Sequence, residues 1–581
     1  MPLAPRRSQM RVAKNVPHPR RGAMRWGSTP LVFRQKDEHA RGRSRPQAHR
    51  DKDQGSRGEP SAQRGAARVV SAVSAISRGP ITIGIMMATV MGALDTTVVN
   101  VALPHMQGSL SASPEQITWI ITSYIVATAV TMPLSGWLSG RFGLKTMLLV
   151  CIAGFTVASV LCGMATSLPE MVLFRLLQGM LAAPLTPLAQ AVLLNINPPE
   201  RYGRAMALFT MAAVLAPVLG PVIGGYLTED LSWRWCFFIN VPAGIGSMLL
   251  LWFFLPREEV KPRRFDFLGF GSLAIAIAAI QLMLDRGPTQ DWFGSREIWI
   301  EAILAAGGFW VFLTHTLTAE HPLFDPAIAR NRNFVTSTIF GFFFSVMMFT
   351  SLTLLPLMMQ GVMGYSVMQS GLISMPRGVV MLLILQVMGR VDTLVDRRLL
   401  VGVGLAFVIV AFWQMAHFDL SMTGREIVWA TVLQGIGQGI IFVPLSTMGF
   451  ATINPGLRAE ASAISNLLRN LGGSAGIATV QALTAISSQS MHASLAAHIT
   501  PENAVVRASL PNIFDGVSGA LEALNAEITR QATMVAYVND FRLMVVLGLC
   551  CAPLVLLLRT PRAGRAIDQT PEDAPVEIAH A

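Results

Sequence analysis

Charge is what this sequence has least of. Asp, Glu, Lys and Arg make up 14% of its 581 residues, apolar side chains make up 52%, and mean hydropathy is +0.49. A water-soluble chain carries about 25% charged residues because its surface must face water. That shortfall excludes a soluble multidomain enzyme. Cysteine is also sparse. Cys151, Cys162, Cys236, Cys550 and Cys551 lie in or at apolar runs without metal-ligand spacing, and they read as small apolar side chains, not as a disulfide framework. Neither GxxxxGK[ST] nor HExxH occurs. His105, His315, His321 and His417 stand apart from one another, so no metal site and no cofactor is expected. Energy for any work has to come from an ion gradient.

What charge there is falls unevenly. Residues 1–80 hold 18 Lys/Arg against 5 Asp/Glu, and the remainder holds 27 against 29, so the high isoelectric point belongs to the leader. A basic, Pro/Gly/Ser/Gln-rich stretch such as Arg41 to Arg68 cannot bury enough apolar surface to fold alone. Three readings fit it: a disordered cytoplasmic tail on anionic lipid, a nucleic-acid arm, or an upstream mis-assigned start. The body itself gives no sign of a nucleic-acid partner. A secretory signal is excluded, because the first long apolar run begins only near Ile81.

A bilayer core takes about 20 apolar residues per helix. Fourteen such runs are found, near 82–103, 117–139, 146–165, 171–194, 205–227, 236–255, 267–284, 299–318, 335–357, 368–388, 400–417, 427–450, 460–486 and 542–558. With the N-terminus inside, the inner segments of the body hold 17 Lys/Arg and the outer segments 7, which is the positive-inside bias. The expectation is an all-α polytopic membrane protein with 14 transmembrane helices and both termini cytoplasmic. It divides into the leader 1–80, a six-helix bundle at 81–260, two extra linking spans at 261–333, a second six-helix bundle at 334–560 and a tail at 561–581. Segment 487–541 is expected to be a long outer loop, mildly amphipathic and helical in part.

An ionisable group at membrane depth is a functional candidate. Asp95, in Leu94-Asp-Thr-Thr-Val-Val-Asn100, is read as the one carboxylate deep in a span. Desolvation disfavours its charged form, which predicts a raised pKa and suits a proton carrier. The bland alternative is a helix cap or a permanent partner for an arginine. Arg175, early in the fourth span, could respond to Asp95 or merely brace helices. Arg377, between Pro376 and Gly378, reads first as a structural anchor and otherwise as a residue at a helix break, and Asn466 with Arg469 is a candidate polar site in the second half. Pro217, Gly220, Pro221, Gly224 and Gly225 put bends and close-packing residues late in the fifth span.

These segments resemble the major facilitator superfamily, in particular its fourteen-span drug:proton antiporter branch of EmrB/QacA type, over about 82–560. The carriers of the resemblance are Leu94 to Pro104; Gly136-Trp-Leu-Ser-Gly140-Arg141-Phe-Gly143; Leu173 to Gly179; Gly220-Pro221 with Gly224-Gly225; Trp233 to Gly244; and Ala461 to Ser474. The resemblance implies the major facilitator fold, two six-helix bundles plus two spans, with proton coupling at Asp95 and Arg175. It makes Gly136, Arg141 and Gly143 conformational residues, together with the fifth-span glycines and prolines. One departure stands out: Gly140 occupies the place of the usual acidic residue, while a second-half echo, Gly389-Arg-Val-Asp392-Thr-Leu-Val-Asp396, keeps its acids. The implied activity is proton-coupled efflux of amphiphilic or lipophilic small molecules by alternating access, through the lipid bilayer of the inner membrane. A proton-coupled importer and a membrane-embedded acyltransferase-type enzyme are the rivals. A periplasmic adaptor protein docking on 487–541 is the expected partner where one is used.

Overall fold

The computed structural model describes residues 61–257, 264–392, 394–499 and 520–558. The leader up to residue 60, part of 487–541 and the tail at 561–581 lie outside the described residues. All regular structure among the described residues is helical. In hydrocarbon every backbone N–H and C=O must be paired inside the protein, and a helix does this within one segment.

The longer helices, in chain order, are α1 (Ser61–Ser109), α2 (Trp119–Thr131), α3 (Leu134–Phe142), α4 (Leu144–Met164), α5 (Leu168–Ala182), α6 (Leu185–Ile196), α7 (Tyr202–Tyr226) and α8 (Asn240–Phe254). They continue as α9 (Phe267–Arg286), α10 (Arg296–Thr318), α11 (Arg332–Gly361), α12 (Val367–Val391), α13 (Arg397–Met415), α14 (Gly424–Phe450), α15 (Arg458–Ala496) and α16 (Ala520–Leu557). Twelve of the described segments are long and apolar enough to cross a membrane, or up to 13 if the bent pair α2–α3 is one span. That pair turns through 60° where Pro133 follows Met132. Pro184 also separates α5 from α6, but these two continue as one span, Leu168–Ile196. Pro376 does not divide its helix: α12 continues through it, which leaves Arg377 its reading as an anchor and not that of a helix break. A proline inside a packed membrane helix loses one intrahelical bond, which neighbouring groups can replace.

Helix α15 matches the expected thirteenth run yet falls outside the apolar set, because Ser, Asn, Arg and Gly dilute it. It is nevertheless interior, packing on α11 and α16 of its own half and on α3 and α6 of the first. At 39 residues it is about 58 Å long, and α16 with 38 is about 57 Å, against a hydrocarbon core of about 30 Å. Thr484 bonds Asp540, Ser488 bonds Thr533 at 3.0 Å, and His492 bonds Asn525 at 2.9 Å. The two helices therefore run antiparallel past the ends of their neighbours. The segment expected as a loop from 487 is in good part the end of α15 and the start of α16, and the fourteenth helix begins some twenty residues early.

Each half has its own apolar core, and smaller clusters fill the seams between them. Ala207 and Val214 of α7 meet Met381, Leu385 and Met388 of α12 and Val443 of α14. Lipid tails are as apolar as leucine, so helix association relies on close packing. Glycine makes that packing close. A Cβ on Gly404 of α13 would lie 2.8 Å from the Gly437 carbonyl of α14, and one on Gly437 would lie 2.6 Å from the Gly404 carbonyl. The pair α9–α10 stands at the flank, with α9 against α2 and α15. Thr122 donates to Asp285, and Gln281 donates to Ser474 Oγ at 3.0 Å, so α9 is bonded to both halves. Asp266 ties the pair's other end by accepting from Gly269 and Leu323 and by bonding His315 at 2.8 Å. Along α10, Ile303, Trp310 and Leu317 form an exposed stripe at seven-residue spacing, as a lipid-facing helix requires.

Gly437→Val should lower the melting temperature of the detergent-solubilised protein, because overpacking of a backbone-to-backbone contact costs about 1–3 kcal/mol. An unchanged melting curve by size-exclusion thermal assay would show that α13 and α14 can separate at no cost.

Candidate functional site

Among the described residues, the first half encloses a charged pair. Asp95 on α1 and Arg175 on α5 are each 1% exposed, and Arg175 NH1 donates to Asp95 Oδ2 at 2.6 Å. The other carboxylate oxygen accepts from Gln178 Nε2 and from Asn240 Nδ2, both at 2.9 Å. Arg175 also donates through Nε to the Ile120 carbonyl at 3.2 Å and through NH1 to Gln178 Oε1 at 2.7 Å. Its guanidinium lies 4.4 Å from the ring centre of Tyr124. Asn240 donates further to Ser159 Oγ at 3.0 Å, and Ser159 donates to the Phe237 carbonyl at 2.9 Å. Two charges are kept from water here because each is paired and hydrogen-bonded, which is what burial of an ion pair demands.

Arginine position explains part of this arrangement. Spacings of three put Arg175 and Gln178 on one face of α5, where both reach Asp95. The next residue, Gly179, lets α5 approach α2: a Cβ there would lie 2.5 Å from the Tyr124 carbonyl. Sequence reasoning named Asp95 and Arg175. It quoted Gln178 and Asn240 within motifs without giving them a role, and it missed Ser159 and Tyr124. An uncharged amide or hydroxyl gives no signal until the fold aims it at a charge.

A second set of contacts closes the seam at the end that carries the Arg/Lys-rich loops. Gly136 of α3 lies under Glu460 of α15, where a Cβ would be 2.7 Å from the Glu460 Cβ and 2.8 Å from its Cα. Gly143 connects α3 to α4 with φ +84°, a conformation that side chains avoid. Arg141 is exposed in the last turn of α3. Arg458 of α15 donates to the Leu194 carbonyl at 3.0 Å, to Asn195 Oδ1 at 2.9 Å and to the Tyr202 hydroxyl at 2.6 Å. This places a cation on the C-terminal end of α6, where the helix dipole favours it. Asp392, at the end of α12, faces the first turn of α7, since a Cβ on Gly203 would be 2.7 Å from its Oδ2. An anion is favoured there for the same reason. Burial pushes the Asp392 carboxyl up, against the pull of Arg397 Nε, 3.1 Å from both oxygens, and of Thr447. With glycine at position 140, Asp392 and Glu460 are two carboxylates that the second half sets against the first.

The remaining expected residues sort by contact. Gly220 and Gly224 seat α7 on α1, where a Cβ would meet Thr97 Oγ1 at 2.1 Å and Val98 Cα at 3.3 Å. Gly225 has open space, Pro221 is exposed, and Pro217 lies within the same helix. Arg469 NH2 donates to Asn466 Oδ1 at 2.5 Å, and Asn466 with Ser462 reaches Gln190 of α6, so this polar site lies on the seam. Gly341, Ser337 and Leu445 line the same small cavity as Gln190 and Arg469. Asp540 of α16 is a buried carboxylate that sequence reasoning had placed in the outer loop. Gly472-Gly-Ser474-Ala-Gly476 spells GxSxG, but it lies inside α15 with Ser474 accepting from Gln281. A nucleophile elbow needs a strand-to-helix turn, and none is present at those residues.

Residues 85–477 match the model of the Major Facilitator Superfamily. The chain belongs to that superfamily. Among the relatives of this facilitator, the fatty acid resistance protein FarB of Neisseria gonorrhoeae is 36% identical over 83% of this chain and 96% of its own. The multidrug export protein EmrB of Haemophilus influenzae is 36% identical over 73% of this chain and 84% of its own. The solved structure of the human organic anion transporter MFSD10 (TETRAN) shares the fold, with a TM-score of 0.55 at 15% identity over 81% of this chain and 99% of that one. This facilitator is a multi-pass protein of the inner membrane.

Asp95→Asn removes one partner of a buried pair and should destabilise the protein by about 3–5 kcal/mol, because Arg175 is left uncompensated. The double variant Asp95→Asn/Arg175→Gln should recover most of that loss in a thermal melt while transport stays absent. Equal melting temperatures for all three proteins would rule out the pair as a structural linchpin.

Proposed function

We propose that this facilitator is a proton-coupled exporter of amphiphilic or lipophilic small molecules, an antiporter working by alternating access. The observation that carries this reading is the enclosed Asp95–Arg175 pair, held by donors from α5 and α8. A proton arriving at Asp95 cancels the charge that holds Arg175. Arg175 then pulls differently on the Ile120 carbonyl at the head of α2, and α2 is joined to α3, whose Gly136 lies in the seam. On the other side of α1, Gly220 and Gly224 tie Asp95's helix to α7, which packs along α12 of the second half. Coupling requires that the two conformations differ in proton affinity and in substrate affinity, and this route gives the proton a lever on the seam.

In the proposed cycle the substrate enters from the cytoplasm or inner leaflet while Asp95 is ionised. A proton from outside then takes Asp95 as the substrate leaves, and passes inward when the chain resets. The gradient is the energy source, and no cofactor is used. The Lys/Arg distribution supports placing the sealed end, with Gly136, Arg458 and Asp392, in the cytoplasm. It likewise supports fourteen spans with both termini inside, counting α15 as the thirteenth, and two six-helix bundles linked by α9 and α10. The names of the relatives, a multidrug export protein and a fatty acid resistance protein, favour export over import. The projecting ends of α15 and α16 offer a periplasmic adaptor a surface to grip.

Everted vesicles energised by respiration should accumulate a fluorescent amphiphile, and a proton uncoupler or Asp95→Asn should reduce this to background. Accumulation that survives the uncoupler would remove proton coupling from the mechanism. Loosening the inner seal with Arg458→Ala should make a cysteine at the buried Ser462 position react several-fold faster with a water-soluble maleimide. No change in reactivity would place the gate elsewhere.

A further inference from the structure

The two halves repeat one packing motif with different chemistry. In the first half Gly179 lies on the Tyr124 carbonyl, and a Cβ would be 2.5 Å away; in the second half Gly435 of α14 lies on the Arg377 carbonyl of α12 at the same 2.5 Å. Each glycine follows a glutamine. Gln178 bonds Asp95 of α1, and Gln434 accepts from Ser351 Oγ of α11 at 3.0 Å. Tyr124 thus corresponds to Arg377, Asp95 to Ser351, and Arg175, three residues before its glutamine, to Thr431. The second half keeps a guanidinium, now carried on α12, and has a hydroxyl where the first half has its carboxylate.

Arg377 is left with one acceptor, Gln434 Oε1 at 3.3 Å, and no carboxylate partner among the described residues. A guanidinium has five N–H donors. Beside it, the buried Gln434 Nε2 has no hydrogen-bond partner. The group is rich in donors and short of acceptors. It stands next to Gly378, which packs on Val218 of α7, so it adjoins the seam between halves. Arg377 is only partly buried, whereas Arg175 is shut in. The seam cluster that Gly378 adjoins is apolar, with Val218, Met381 and Ile436. An unpaired guanidinium in such a place is costly unless an anion joins it, and a carboxylate matches its planar fork.

We propose that Arg377, with the Nε2 of Gln434, whose amide Ser351 holds in place, forms the receptor for the carboxylate of a lipophilic monoanionic substrate, the substrate's acid filling the role that Asp95 fills in the first half. This rests on the exporter reading above and names its substrate class. The full-length protein in lipid nanodiscs is melted with dodecanoate and with dodecanamide, its uncharged counterpart. Binding stabilises the folded protein, so dodecanoate should raise the melting temperature of the wild type more than dodecanamide does. Arg377→Gln should weaken dodecanoate binding by at least about 10-fold and lower the acid-to-amide preference, and Arg377→Lys should fall between. Without ligand, Arg377→Gln should melt no lower than the wild type, unlike Arg175→Gln, because it removes an unpaired charge.

Proteoliposome efflux separates the two readings. If wild type and Arg377→Gln prefer the acid equally in binding, the carboxylate site is overturned, whatever efflux shows. If the wild type binds dodecanoate through Arg377 but moves neither probe with a proton gradient, the site stands and the exporter reading falls.

Discussion

The buried pair of Asp95 and Arg175 is the constraint around which the first half is arranged. Opposite charges in a low-dielectric interior attract strongly, and each separately would be expensive to bury. The pair survives there because α1, α2, α5 and α8 each bring a group to it: the carboxylate, the Ile120 carbonyl, the guanidinium with Gln178, and Asn240. Four helices cannot shift independently while their polar groups meet at one point. A change in the charge of either partner is therefore felt along all four. That is the property a proton-coupled machine needs.

The seam is held by different means. One end combines a glycine under a glutamate, a cation on the C-terminal end of α6 and an anion at the first turn of α7. Each interaction is smaller than a buried ion pair, since helix-end charges contribute about 0.3–1 kcal/mol at exposed sites and up to about 2 when partly buried. A set of modest contacts can separate at less cost than one strong bond, as the proposed gate requires. The absence of the usual acid at Gly140 is compatible with closure because Asp392 and Glu460 bring carboxylates from the second half. The pair α9–α10, bonded to α2 through Asp285 and to α15 through Gln281, flanks this seam and touches both halves.

The repeat within the chain shows how one framework carries two chemistries. Packing is conserved where glycine meets a carbonyl, at Gly179 and Gly435. Polarity is not: the first half is electrically complete, and the second lacks its acid. Asp540, held by Thr484 where α15 and α16 begin to project, is a further buried acid with a hydroxyl as its partner. Its place was hidden in the sequence by the polar residues around it, which moved the expected span boundary past it.

Much of this protein was determined by composition alone. Runs of about 20 apolar residues can only be membrane helices, and a carboxylate within one had to be functional or paired. The order of motifs named the family, and the positive charges set an expectation for which loops lie inside. What the sequence could not decide was which polar groups meet. Whether Asp95 finds Arg175, whether Gln178 and Asn240 join them, and whether Arg377 finds any acid depend on how helices far apart in the chain are rotated and docked. Local pattern sets where a helix forms and which residues are apolar. Partnership at a distance is set by packing, and a glycine's approach to a carbonyl across two helices leaves no mark in either helix read by itself.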